Sequence, residues 1–258
     1  MKKPVILFLS LIILFACQNR PESAKTEETP AKSEEQPAEV KKETTPVVNT
    51  QKPIPSAGLR EVKPPSDDLK NASVNFRRGL ELLKDKNYRE SIEYFDRALT
   101  TEPQNARIYF NRGYAFFSMK SYDTALINFN RSLSINPSDT MVLMYSGLSK
   151  HFMNNLNGAM RDYDNAIAKS TGFSKAYYNR GLARGQMQDY KGAVADFTKA
   201  IIYDATYAEA YYNRGLAYFL TNDTNNACMD WIQANRMGAP DAMKAIDLYC
   251  EKKYRDFM

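Results

Sequence analysis

Three asparagines, Asn111, Asn179 and Asn213, each follow an aromatic residue: Phe110, Tyr178 and Tyr212. They fall on one 34-residue spacing, and Tyr145 occupies the matching place between the first two. An amide can both donate to and accept from the backbone of an extended peptide. Flanking rings add apolar contact area at low entropic cost. The chemistry that suits such a row is recognition, not bond-making. Catalysis would need reactive groups that converge, and the chain is poor in them. His151 is the only histidine among 258 residues, which excludes a histidine-rich metal site. No nucleophile elbow, Walker loop or dinucleotide glycine pattern occurs. The expectation is no catalytic residue, no metal and no cofactor.

The elements that position this row follow from the same interval. Gly79, Gly113, Gly147, Gly181 and Gly215 are each 34 residues apart, and a fixed internal period sets the architecture of the whole array. With each glycine at position 8, the units run 72–105, 106–139, 140–173, 174–207 and 208–241 within a domain over 67–240. Position 20 is Ser91, Ala125, Ala159, Ala193 or Ala227, and position 27 is Ala98, Ser132, Ala166, Ala200 or Ala234. Position 24 is always a ring: Phe95, Phe129, Tyr163, Phe197 or Trp231. Two antiparallel helices approach closely only where side chains are absent or small, and a large ring fills the space beside that contact. Apolar residues three and four apart in "YKGAVADFTKAI" mark an amphipathic helix. Pro, Asn and Asp in "TEPQNA" and "NPSDT" end one helix and cap the next. Arg180 with Asp196, and Arg214 with Asp230, repeat a 16-residue interval that predicts ion pairs across the two helices of a unit.

This pattern resembles the tetratricopeptide repeat (TPR) family over residues 72 to about 240. The resemblance implies an all-α, right-handed superhelical solenoid of five helix-turn-helix units, each burying its apolar face on its neighbours. A capping helix over 241–258 would cover the last unit. In that family the first helices line the concave face, so Phe110, Asn111, Tyr145, Tyr178, Asn179, Tyr212 and Asn213 become candidate peptide-groove residues. Recurrence through duplication alone is the other reading of these positions. The groove departs from the carboxylate-clamp members, which carry Lys at position 5 and Asn at position 9. Here position 5 is aromatic or Met, and position 9 is Leu80, Tyr114, Leu148, Leu182 or Leu216.

The N-terminus has a different composition. Lys2 and Lys3 precede an apolar run from Val5 to Phe15, the layout of a signal peptide and shorter than an ordinary spanning helix. "LFAC", residues 14–17, resembles a bacterial lipobox. That resemblance implies cleavage of 1–16 and acylation of Cys17, with several acyl chains giving stable anchoring. Gln18 after the cysteine implies outer-membrane sorting. Residues 17–66 are rich in Pro, Glu, Lys and Thr without an aromatic, a composition that predicts disorder. As a coil, ~48 such residues average roughly 40 Å end to end.

The segment from Ala227 to Cys250 is similar to an ending common in TPR lipoproteins of the Bacteroidetes type. Two thiols outside the cytoplasm, on elements expected to touch, make Cys228 and Cys250 a disulfide candidate. A pair of buried free thiols is the alternative. The formal charge of +5 has no dense Lys/Arg stripe behind it, which argues against nucleic acid. The expected function is a lipid-anchored envelope adaptor, its domain facing the periplasm, that binds a protein or peptide in its groove. A fixed subunit of an outer-membrane assembly or secretion complex is the competing expectation. Oligomeric state is left open.

Overall fold

The computed structural model describes residues 71–250. The expected signal peptide, Cys17, the linker and residues 251–258 of the expected cap lie outside the described residues. Among those described there are eleven helices and no strand. The first helices of the five units are α1 (Ala72–Lys84), α3 (Ala106–Ser118), α5 (Thr140–Phe152), α7 (Ser174–Gln186) and α9 (Ala208–Leu220). The second helices are α2 (Tyr88–Thr101), α4 (Tyr122–Ile135), α6 (Leu156–Lys169), α8 (Tyr190–Tyr203) and α10 (Thr224–Arg236). A last short helix, α11 (Ala242–Tyr249), packs on α10. Each helix packs on its sequence neighbours, which makes the array a solenoid.

The glycine at position 8 is a packing requirement. A Cβ on Gly79, Gly147 or Gly181 would stand 2.5, 2.5 or 2.8 Å from the ring of Phe95, Tyr163 or Phe197. On Gly113 it would meet Phe129 at 2.7 Å, and on Gly215 the Trp231 indole at 2.7 Å. The small residues at positions 20 and 27 are fully buried in every unit.

The turn inside each unit is built without glycine. Lys86, Lys120, Asn154, Gln188 and Asn222 all sit at position 15 with φ between 60° and 65°. Each ends its first helix with the paired bonds of a Schellman motif. In the first unit Asn87 N–H donates to Leu82 O at 2.8 Å and Lys86 N–H to Leu83 O at 3.1 Å. The same pair recurs down the array as far as Asp223 to Tyr218 and Asn222 to Phe219. Between units the connection differs, because the residues that end α2, α4, α6 and α8 have φ between −124° and −146°. Helix α10 ends instead on Gly238 at φ 83°, which turns the chain into α11.

Helix starts are capped where the sequence allows. Asn71, Asn105 and Asp139 accept backbone N–H bonds at the starts of α1, α3 and α5. Phe173 and Tyr207 hold that place before α7 and α9 and make no side-chain cap bond. Those two starts rely on packing alone.

Candidate functional site: the face of the first helices

Positions 3 and 10 of each first helix turn toward the preceding unit. Val142 packs with Phe129, Ala210 with Ala200, Ala183 with Tyr163 and Ala217 with Phe197. Position 8 turns toward the unit's own second helix. At about 100° per residue, positions 2, 6, 9 and 13 then fall on the one side that meets neither second helix. Successive first helices also touch one another, α1 to α3, α3 to α5, α5 to α7 and α7 to α9. No two second helices are in comparable contact. A stack whose first helices crowd together while its second helices splay bends around the first-helix side. Positions 2, 6, 9 and 13 therefore line the inside of the bend.

The expected groove residues divide into three groups. Tyr145 is the hub of a ring cluster between units two and three. Its centroid lies 5.8 Å from Phe110, 5.2 Å from Tyr114 and 5.5 Å from Phe117. Burial pushes its phenol up to about 12. Tyr178 packs 4.7 Å from Tyr207 and 5.8 Å from Phe197, and its hydroxyl accepts from Asn213 Nδ2 at 3.1 Å. Burial raises the Tyr178 phenol as well. Tyr212 packs on the cluster of Ala234, Ala239 and Ala242, and burial pushes it up to about 12. Phe110, Tyr178 and Tyr212 stand in the seams between units.

The asparagines are oriented more strictly than a free amide. Asn111 Nδ2 donates to Arg107 O at 2.7 Å, Asn179 to Lys175 O at 2.8 Å and Asn213 to Glu209 O at 2.8 Å. Each amide turns its nitrogen onto its own helix, four residues back. That uses one of the two N–H groups of each amide; Asn213 gives its second to Tyr178, Asn111 and Asn179 keep one, and the Oδ1 atoms carry no bond among the described residues, so the row offers chiefly acceptors. An acceptor row suits the N–H groups of an extended strand.

Arginine at position 7 ties the array together on the opposite side. Arg180 reaches Asp196 through Nε at 2.9 Å and Nη2 at 2.6 Å, and Asp164 of the preceding unit through Nη1 at 2.6 Å. Arg214 binds both oxygens of Asp230 at 2.7 Å and reaches Thr198 at 3.2 Å. Arg112 repeats the geometry with Asn128 at 2.7 Å and with Asp96 of the first unit. In unit three Ser146 takes the arginine's place and donates to Asp162 at 2.6 Å, while Lys150 pairs with the same carboxylate at 2.6 Å. His151 Nε2 donates to Gln186 Oε1 at 2.8 Å across units three and four, and burial lowers its pKa.

At the end of the array Cys228 and Cys250 are joined by a disulfide, with Cα atoms 5.8 Å apart. Tyr249, next to Cys250 in the chain, packs with its ring centroid 4.6 Å from that of Phe219, tilted by 51°. Among the described residues no group of three or more His, Cys, Asp or Glu side chains is placed to hold a metal ion. No described helix is long and apolar enough to cross a membrane.

Residues 76–140 match the family model described as "Tetratricopeptide repeat", and residues 186–222 match one described as "TPR repeat". The fold is a TPR solenoid. No curated protein matches the chain significantly in sequence. Among solved structures, MamA from Desulfovibrio magneticus RS-1 is 17% identical with a TM-score of 0.60, over 64% of this chain and 94% of that one. YrrB, described as a TPR protein with an unusual peptide-binding site, is 17% identical with a TM-score of 0.57, over 69% and 93%. PilW, described as a widely conserved type IV pilus biogenesis factor, is 15% identical with a TM-score of 0.60, over 72% and 97%. Likeness at these identities is a likeness of fold.

Reading the TPR units side by side exposes what sequence reasoning missed on the inner face. Position 2 runs Ser73, Arg107, Met141, Lys175 and Glu209. The charge on that line changes sign along the array, and only the alignment of units in frame makes it visible. The 16-residue spacing pointed to the arginine partners within a unit, but the second partner, 16 residues upstream in the preceding unit, had no separate signal.

Proposed function

We propose that this TPR domain is a non-enzymatic interaction module that binds an extended peptide or protein segment along the inner face of its first helices. The observation that carries the reading is the row of Asn111, Asn179 and Asn213, each with its amide nitrogen held by its own helix and its Oδ1 without a partner among the described residues. Three oriented acceptors beside the rings of Phe110, Tyr178 and Tyr212 suit the N–H groups of an extended segment. The fold is shared with YrrB, whose description names a peptide-binding site, and that likeness favours a peptide ligand. The lipobox-like "LFAC" and the ending from Ala227 to Cys250 extend the reading to an adaptor of Bacteroidetes-like type, tethered by acylated Cys17 to the outer membrane and facing the periplasm.

The test is capture from a detergent-solubilised envelope by the full-length chain and by a variant with Asn111, Asn179 and Asn213 all changed to Ala, each checked for unchanged helix content. A protein held by the native chain and lost by the variant supports the groove. Equal capture by both sinks it. Mass spectrometry of the purified membrane form, with and without Cys17→Ala, tests the anchor separately.

A further inference from the structure

The inner face carries opposite charge at its two ends. Arg77, at position 6 of α1, is exposed and makes no ion pair among the described residues. Arg107, at position 2 of α3, lays its guanidinium 5.6 Å from the centre of the Phe76 ring, next to Arg77 in the chain, and is likewise without a carboxylate. One helical turn on, Asn111 adds its acceptor row to the same spot. Three units later, Glu209 holds the position that Arg107 holds here, one turn before Asn213. Its exposed carboxylate has no cationic partner, and neither has that of Asp241 at the start of α11. Elsewhere in the array, buried charge is consistently matched: Asp162, Asp196 and Asp230 each have a cation within 3.1 Å. Along positions 2 and 6 of the inner face, the cations Arg77, Arg107 and Lys175, none in an ion pair among the described residues, precede the one carboxylate, Glu209.

We propose that the groove binds an extended peptide of fixed polarity, with an acidic residue seated at Arg77 and Arg107 and a basic residue seated at Glu209. Between them the Asn carbonyl oxygens take the ligand's backbone N–H groups. This rests on the peptide-binding reading above and gives it a charge pattern and a direction. Guanidinium against carboxylate is a strong, geometrically specific pair, and charges so placed set register and orientation. First helices about 10 Å apart put Arg107 and Glu209 roughly 30 Å apart along the row. That is the reach of about nine extended residues.

The experiment selects random peptides of about twelve residues on the purified full-length chain, then measures one selected peptide by fluorescence anisotropy. The probes are the native chain, Arg107→Glu with Arg77→Glu, and Glu209→Lys. The expected enrichment is Asp or Glu separated by about nine residues from Lys or Arg, always in one order. The double Arg variant should bind that peptide at least about tenfold more weakly and recover a peptide whose acidic end is replaced by Lys. The milder pair Arg107→Gln and Arg77→Gln gives the same direction if the charge reversal unfolds the first unit. Peptides enriched without this pattern, or indifferent to both Arg variants, overturn the polarity while leaving a peptide groove standing. Failure to enrich any peptide overturns the groove and this inference together.

Discussion

Arg180 grips Asp196 with two of its nitrogens and Asp164 of the preceding unit with the third, at 2.6 to 2.9 Å. Arg184 adds a second cation to Asp196 at 3.1 Å. One buried carboxylate thus anchors a guanidinium that spans the seam between units three and four. Removing either side leaves a desolvated charge behind.

Asp196→Ala should cost about 3 kcal/mol of unfolding free energy in urea titrations. Arg180→Lys should recover only part of the pairing, because an ammonium cannot address three acceptors in a plane. A loss below about 0.5 kcal/mol for Asp196→Ala would show the network to be ornamental.

Tyr163 fills the space beside Gly147 with a hydroxyl that is fully buried and has no hydrogen-bond partner. Three other units use Phe at that position. Tyr163→Phe should raise stability by about 1 kcal/mol, since it removes an unsatisfied polar group without changing shape. Gly147→Ala should lower it by about 2–3 kcal/mol by driving a methyl into the same ring. Thermal melting of the two variants checks both signs.

The five left-handed residues at position 15 carry a conformational cost that glycine would not. Lys120→Gly should stabilise by about 0.5–1 kcal/mol, after the larger chain entropy of glycine is subtracted. Asn154→Gly should gain less, because asparagine already tolerates that conformation. Chemical denaturation midpoints of the pair, compared with the parent, give the ranking directly.

Burial holds the pKa of His151, the only histidine, below its ordinary 6.5. The folded protein then binds fewer protons than the unfolded chain between the lowered value and 6.5, so stability rises with pH across that window and falls on acidification. Above 6.5 both states are neutral and the contribution is flat. His151→Gln should remove this slope from a plot of melting temperature between pH 5 and pH 7. An unchanged slope would assign it to carboxylates instead.

The bond between Cys228 and Cys250 closes a loop of 22 residues. Reduction should cost about 3 kcal/mol if loop closure dominates. In a repeat array that loss should be felt first in the nearest units. Hydrogen exchange of α9 to α11, with and without reductant, would register it as faster opening there and little change in α1 to α4.

The helix-packing code was legible from glycine, small residue and ring at fixed positions, because close contact between two backbones leaves few residue choices. The arginine pairs within a unit were legible from a constant interval. The position-15 turns were not: lysine and glutamine carry no sign of a left-handed backbone, which the Schellman bonds impose from outside the residue. Nor was the orientation of Asn111, Asn179 and Asn213, which depends on a carbonyl four residues back competing for the amide nitrogen. How each amide spends its donors was therefore not readable from the sequence.

The seam between units two and three lacks a spanning guanidinium, since Ser146 bonds only within its own unit and rings around Tyr145 fill the joint. Mechanically, the array is two stiff rods in series with a softer coupling. Rings slide over one another with little directional penalty, whereas a three-point ionic clamp resists shear. Twisting or stretching strain will collect at that coupling, and the pitch of the inner face will adjust there first when the two ends are drawn toward a common ligand.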